Sequence, residues 1–326
     1  MGYKREDYMR ANEILGERRR EAESRAETRR RELYTSLPEI KEIDRELSRT
    51  QSSIIDAIGK GSAGIRERIA EIEEKNSSLQ ERRKSVLRAN GYPDDYDRAV
   101  YTCELCRDTG YVKNKMCKCK RRLLVLSGCE SSGMGVLMRT QSFDSFSLDF
   151  YNGPARTRME QIFTEVKRYA ESFSGDGDGN LLFSGNTGLG KTHLSTAAAR
   201  VIIERGFDVK YETVSGMITE FEDKKYHSGY GEREDDPTER YFECDLLIVD
   251  DLGAEITTQF SVSCLYSVIN ARINSGRSMI ISTNLSSSEI RRRYSDRIAS
   301  RLFGEFSVYP FEGSDIRAEK LRRAQN

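Results

Sequence analysis

The sequence predicts an α/β fold with a five-stranded parallel sheet over residues 155–326, preceded by a helical coiled-coil arm and a small four-cysteine knuckle. Three observations predict it. Two seams of apolar residues with 4-3 spacing cross the charged first 90 residues. Four cysteines crowd into positions 103–119. Beyond 155, five short apolar runs alternate with stretches of helical spacing, the pattern of a parallel sheet covered on both faces. The boundaries that follow are an arm over 1–97, a knuckle over 98–130, a linker over 131–154 and the α/β domain over 155–326.

Composition narrows the function classes. Of 326 residues, 33% are charged and 37% hydrophobic, which is polar for one globule and fits an extended segment beside a core. The 53 basic and 53 acidic residues cancel, so any nucleic-acid site must be a local patch. Apolar runs such as Leu246–Val249 are far too short for a membrane span. The charged N-terminus, Tyr3-Lys4-Arg5-Glu6-Asp7, has no signal-peptide core. Seven cysteines, four of them clustered, suit metal binding in a reducing compartment, which points to the cytoplasm.

The arm comes first. Residues 1–90 hold 21 Lys/Arg and 18 Asp/Glu. Leu33, Leu37, Ile40, Leu47, Ile54 and Ile58 form one seam, interrupted by Asp44 and Gln51. Ile65, Ile69, Ile72, Leu79 and Val86 form the other, interrupted by Asn76 and Arg83. A turn composition, residues 59–64, lies between them. Ser36 with Glu39 reads as a capping box, and Pro38 fits a first helical turn. The expectation is a charged helix over 5–34 and then a hairpin of helices at 38–58 and 65–90.

Next, Cys103, Cys106, Cys117 and Cys119 make C-x₂-C-x₁₀-C-x-C, with Asp108-Thr109-Gly110 turning the chain between the pairs. Four thiolates at that spacing can close a tetrahedral Zn²⁺ site that stabilises a knuckle lacking its own core. The last pair is unusually close, which leaves Cys129 open as a substitute ligand. Cys244 and Cys264 read as core residues. Residues 98–122 carry eight Lys/Arg against two acids, a basic patch for nucleic acid or an acidic partner, or simply a solvated linker. A second nucleic-acid candidate is Phe221–Tyr230, where aromatics interleave with lysines, although the same stretch also reads as a surface loop.

In the α/β domain, strands are expected at 181–185, 208–214, 245–252, 278–284 and 306–311, and helices at 155–173, 190–205, 215–224, 258–275 and 286–302. The first strand runs into Gly185-Asn186-Thr187-Gly188-Leu189-Gly190-Lys191-Thr192, which is G-x-x-x-x-G-K-T followed by a helix. Glycines let successive N–H groups curl around phosphates and the helix N-terminus adds positive potential. Lys191 reaches the β- and γ-phosphates, and Thr192 offers a hydroxyl to Mg²⁺. The chain is therefore expected to bind ATP. The third strand ends in Asp250-Asp251, and buried acids need a counter-ion, here the magnesium shell at Asp250. Asp251 is placed to orient or deprotonate the attacking water, and Asn284, ending the fourth strand, to hold that water and sense the γ-phosphate.

In this order the motifs resemble an AAA+ ATPase, and more narrowly the bacterial helicase loaders of the DnaC/DnaI type and the transposition helper IstB. The resemblance lies in residues 188–194, 247–255, 281–285 and 294–302, with 143–151 similar to the family's lead-in. It implies an ATP-switched, homo-oligomeric loader of a DnaB-type replicative helicase onto single-stranded DNA, with an IstB-like transposase helper as the alternative. It also implies an arginine finger reaching a neighbouring subunit's site. Arg301 matches by position and Arg297 competes. The acid pair is Asp-Asp where many relatives have Asp-Glu, which suits slow hydrolysis. About 15 residues follow Phe311, too few for the helical lid that carries a second sensor arginine in larger members.

Overall fold

In a computed structural model of the chain, the structure describes residues 3, 5–59, 65–131, 135–227, 236 and 238–324. They fall into two compact units, one comprising Ile14–Thr109 and the other Met1–Glu13 with Gly110–Asn326.

The first unit is helical. α1 (Arg5–Ser36), α2 (Pro38–Gly59) and α3 (Ile65–Ala89) follow the expected boundaries closely. Ser36 ends α1 and Pro38 opens α2, so the residue read as a cap belongs to the preceding helix. Leu33, Ile40 and Leu87 are completely buried, with Tyr34, Leu37, Val86, Tyr92 and Tyr96 packed around them. On α3, Leu87 and not its neighbour Val86, the residue read into the second seam, is completely buried. The polar interruptions are cross-helix partners. Arg83 donates to Asp44 at 2.7 Å and to Asp97 at 2.7 Å, and Thr50 donates to Asn76. These partners ascend on α2 as they descend on α3, so the two helices are antiparallel. The turn at 60–64, the side chains of Gln51, Ile54, Ile58, Ile65 and Ile69, and the loop 228–235 lie outside the described residues.

The second unit holds the sheet. β1 (Tyr111–Val112) and β2 (Lys115–Met116) form a short hairpin, followed by α4 (Lys118–Ser131), α5 (Gly135–Thr140) and α6 (Gly153–Ser172). The stretch 131–154, expected to be a linker, delivers Met138, Phe143, Phe146 and Tyr151 to the core of this unit. Tyr3 is buried there too, its hydroxyl donating to Asp208 at 2.5 Å, so the first residues do not belong to the arm. Local charge and short apolar spacing gave no sign of either contact.

β3 (Asn180–Ser184), α7 (Lys191–Glu204), β4 (Val209–Thr213), α8 (Val214–His227), α9 (Arg240–Glu243), β5 (Leu246–Leu252), α10 (Gln259–Asn274), β6 (Ser278–Thr283), α11 (Ser287–Tyr294), α12 (Asp296–Gly304), β7 (Phe306–Pro310) and α13 (Ile316–Ala324) complete it. The five strands pair in parallel, in the order β4-β5-β6-β3-β7. This is the five-stranded parallel sheet that the sequence predicts. Two apolar clusters cover it, one on each face, as a sheet of runs such as Leu246–Val249 requires. β3 lies between β6 and the edge strand β7, and the loop leaving it opens at the strands' C-terminal edge, where ligands of open parallel sheets bind. The helical stretch 286–302 breaks at Ser295, whose φ of 92° no helix tolerates. Among the described residues no helix is long and apolar enough to cross a membrane.

Candidate nucleotide site and cysteine knuckle

The loop after β3 needs its glycines for two reasons. Gly185, Gly188 and Gly190 have φ of 138°, 77° and 84°, left-handed conformations that side chains disfavour. There is also no room. A Cβ on Gly185 would sit 2.3 Å from the Phe311 carbonyl oxygen, and one on Gly190 2.9 Å from the Phe146 ring. Tyr151 fixes the loop by donating its hydroxyl to the Leu189 carbonyl at 2.8 Å. α7 then starts at Lys191 and aims its first amides at the loop.

Lys191 is buried, and its ammonium donates to the carbonyls of Gly185 at 2.6 Å and Asn186 at 2.7 Å. Burial pulls its pKa down, against the opposing charges of Asp251 and Asp250, and Arg317 lowers it further. Thr192 Oγ1 donates to Asp250 Oδ2 at 2.9 Å. A hydroxyl and a carboxylate meeting beside a phosphate loop are the hard oxygen donors that Mg²⁺ takes together with phosphate and water. Asp250 is only 3% exposed and accepts from two more hydroxyls, Tyr211 at 3.0 Å and Ser282. Sequence reading missed both. They come from neighbouring strands and carry no motif of their own, although a hydroxyl facing each side of a buried acid is the kind of signal to seek.

Two successive residues of a regular strand face opposite sides of the sheet. At Asp250 and Asp251 that alternation fails, because the pairing of β5 with β6 shifts register between Val249 and Leu252. Asp251 takes φ 57° and donates its N–H to Ser282 Oγ at 3.0 Å, while its exposed side chain lines the loop's cavity. Partial desolvation and then the Asp250 charge raise its pKa, opposed by Lys191 and Arg317.

That cavity has a volume of about 200 Å³ and continues past the loop to Gln141, Phe146, Phe150, His193 and Ile316. His193 Nε2 lies 2.9 Å from the Ser142 carbonyl, and the ring packs edge-on against Phe146. Burial lowers its pKa, which keeps the ring neutral near pH 7. Asn284 sits exposed just past β6 and is not among the residues lining the cavity. On that strand Ser282 touches the acids instead. Arg297 and Arg301 lie on α12, outside the cavity. Arg297 is exposed, and Arg301 is half-buried and 3.6 Å from Glu305. Buried Glu255 gathers the loop after β5 onto α11, accepting from Gly253 N–H at 3.0 Å and from the Tyr294 hydroxyl.

The sulfurs of Cys103, Cys106, Cys117 and Cys119 all lie within 4.8 Å of one another. A Zn–S bond of about 2.3 Å in a tetrahedron sets sulfurs roughly 3.8 Å apart, so the group fits that ion. Backbone geometry supports the turns. Arg107 and Asp108 are left-handed, and the Asp108 carboxylate accepts the N–H groups of Thr102 at 2.8 Å and Cys103 at 3.0 Å. Lys113 and Asn114 are left-handed as well, which is the two-residue turn of a tight hairpin. Cys129 is not in the group. It is buried in the apolar core, and burial pushes its thiol up to about 12, so it stays protonated. Cys244 and Cys264 are buried, as expected. The basic patch is thinner than its count implies, because Lys120 is buried against Tyr111 with its ammonium 2.9 Å from the phenol.

Residues 159–309, slightly less than half of the chain, match the family model described as IstB-like ATP binding protein. Over 171 residues the chain is 24% identical to the "Replicative helicase loader DnaC" of Escherichia coli (strain K12), covering 52% of this chain and 66% of that protein. The protein of the same name from Buchnera aphidicola subsp. Acyrthosiphon pisum is 25% identical over 172 residues, with the same coverage. The match thus spans slightly less than two thirds of these relatives. The solved "Crystal structure of the DnaC helicase loader" is 18% identical, with a TM-score of 0.47 covering 54% of this chain and 98% of that one.

Proposed function

We propose that this chain, whose residues 159–309 match the IstB-like family model, is an ATP-dependent loader of a DnaB-type replicative helicase onto single-stranded DNA. The observation that carries the loader reading is the 171-residue likeness to proteins named as replicative helicase loaders. The ATP half is supported by the bond between Thr192 and Asp250 at the mouth of the phosphate loop.

In this reading the amides of Gly185–Thr192 cradle the phosphates, and Lys191 leaves its loop carbonyls to pair with the β- and γ-phosphates. Thr192 and Asp250 hold Mg²⁺, which when bound neutralises phosphate charge. Tyr211 and Ser282 keep Asp250 aimed by donating to it. Asp251 orients the attacking water, and Asn284, just past β6 and outside the cavity lining, is the proposed polar sensor. Arg301 of a neighbouring copy supplies the finger that neutralises developing charge, so hydrolysis depends on assembly, with Arg297 the competing residue. The four knuckle cysteines hold a structural Zn²⁺, and the arm and knuckle grip the helicase.

The test is association of the full chain with its host's replicative helicase, with and without ATP, followed by helicase transfer to circular single-stranded DNA. Wild type is expected to bind and transfer only with ATP, and Lys191→Ala to do neither. Association that ignores both ATP and Lys191 would sink the switch, and failure to recognise the helicase would sink the loader. A second reading is an IstB-like ATPase that helps a transposase, the matched family model being described as IstB-like ATP binding protein. Recovery of a transposase in place of the helicase would select it.

A further inference from the structure

Three hydroxyl groups, each from a different element, close around the buried carboxylate of Asp250. Thr192 Oγ1 on α7 donates to Oδ2 at 2.9 Å, and Tyr211 on β4 donates to the same oxygen at 3.0 Å. Ser282 on β6 donates to Oδ1, and its own oxygen accepts the Asp251 N–H at 3.0 Å.

Tyr211 is the donor that a phosphate loop does not call for. Its ring is buried on β4, and its hydroxyl also lies 2.9 Å from Ser195 Oγ, one turn along α7 from Thr192. A phenol has one proton, and a carboxylate outcompetes a neutral hydroxyl for it, so Ser195 is the donor in that second bond. The Thr192 carbonyl, 3.1 Å from Ser195 Oγ, keeps the Thr196 hydroxyl as its side-chain donor at 2.7 Å. The outcome is a buried brace running from α7 through Tyr211 to the acid.

An ionised carboxylate offers about four lone-pair positions. At Asp250 both positions on Oδ2 and one on Oδ1 are taken. Little is left for an ion. Mg²⁺ keeps several of its own waters and takes few carboxylates. Ca²⁺ gathers roughly six to eight oxygens and accepts carboxylates directly, often through both oxygens at once. A carboxylate with one oxygen fully occupied therefore suits Mg²⁺ and serves Ca²⁺ poorly.

We propose that Tyr211 is a positioning residue that sets the metal preference of the nucleotide site, favouring Mg²⁺ over Ca²⁺ by occupying Oδ2 of Asp250. This rests on the nucleotide reading above and adds an ion-selecting residue to it.

The experiment measures Kd for ATP by calorimetry on the full chain, in excess Mg²⁺ and in excess Ca²⁺, comparing wild type with Tyr211→Phe, Ser195→Ala and Lys191→Ala. Wild type is expected to bind more tightly with Mg²⁺. Tyr211→Phe keeps the ring and drops only the hydroxyl, so it should narrow the Mg²⁺/Ca²⁺ affinity ratio about tenfold, the effect of one hydrogen bond to a charged group. Ser195→Ala leaves that bond in place but unbraced, and should narrow the ratio by about twofold. A ratio unchanged by Tyr211→Phe overturns the proposal, whether both affinities stay or both fall, because a merely structural tyrosine lowers them alike. A wild type without preference for Mg²⁺ overturns it too. If instead Lys191→Ala binds ATP as wild type does, the nucleotide reading itself has failed. Far-UV circular dichroism confirms that the variants are folded; should Tyr211→Phe not fold, Ser195→Ala carries the test, and an unchanged ratio there overturns the proposal.

Discussion

The helical unit and the sheet-bearing unit both bury polar side chains, but they distribute them differently. In the helical unit Asp44, Arg83 and Asp97 form a chain of ion pairs, with Thr50 and Asn76 hydrogen-bonded separately, and each group finds its partner across the helices. In the other unit Lys191, Asp250, Ser282 and Tyr211 converge where the strands end, beside one cavity. Paired polar groups spread along an interface fix which helix faces which, as a polar residue in a coil seam fixes register. Polar groups gathered at one cavity, with a cation and an acid facing it, mark a site. Buried polarity alone therefore does not locate function; its convergence does.

The comparison extends to a third region, the knuckle, which has neither an apolar core nor buried ion pairs. Removing metal with a strong chelator is expected to abolish the local order of residues 103–119 and make four cysteines titratable by a thiol reagent. Cys129 should stay unreactive, and ATP·Mg²⁺ affinity should be unchanged. Four fast-reacting thiols before chelation would break the zinc assignment.

Arg272 sharpens the contrast, because it is a fully buried cation away from the cavity. Its guanidinium donates to the carbonyls of Tyr241 at 3.1 Å, Cys244 at 3.0 Å and Ser278 at 2.7 Å, tying α10 to the starts of β5 and β6. Arg272→Leu leaves those carbonyls unpaired and should cost about 4 kcal/mol in urea unfolding of the sheet unit. A loss no larger than that of a surface substitution would mean that water replaces the guanidinium.

In the helical unit, Arg83→Met removes one partner from each of two carboxylates that are 19% and 9% exposed, leaving Asp44 with the Tyr34 hydroxyl and Asp97 with Arg30. It should cost about 2 kcal/mol, less than a fully buried pair because water screens the site. Asp44→Asn combined with Asp97→Asn should return most of that loss. No recovery would show that Arg83 acts through packing.

The smallest effect belongs to His193. Burial lowers its folded pKa below the ordinary 6.5, so below that pH the unfolded chain takes up protons more readily than the folded one. Stability from this group is complete above 6.5 and declines as pH falls through the window between the unfolded and folded values. The decline should be a fraction of a kcal/mol between pH 7 and 5.5, and His193→Gln should remove it. An identical slope in the variant would assign the decline to other groups.

Much of this was legible in the sequence because it is local. The phosphate loop, the acid pair, the cysteine spacing and the alternation of strands with helices each occupy a few adjacent residues, and short-range geometry fixes their meaning. The partners of Asp250 were not legible, because Tyr211 and Ser282 reach it from 39 and 32 positions away. Nor was the packing of Phe143, Phe146 and Tyr151, whose short segment lacks any period, or the return of α13, since counting the residues after Phe311 shows length without direction. Cys129 looked like a spare ligand only because its burial could not be seen.

Asp251 carries a consequence of a different kind. A left-handed aspartate bears a standing conformational cost of about 1 kcal/mol, and glycine is the residue that relieves it. The same exchange deletes the carboxylate proposed to aim water. At this joint durability and activity pull in opposite directions, so a laboratory selection for heat tolerance alone would drift toward a sturdier chain that no longer turns over.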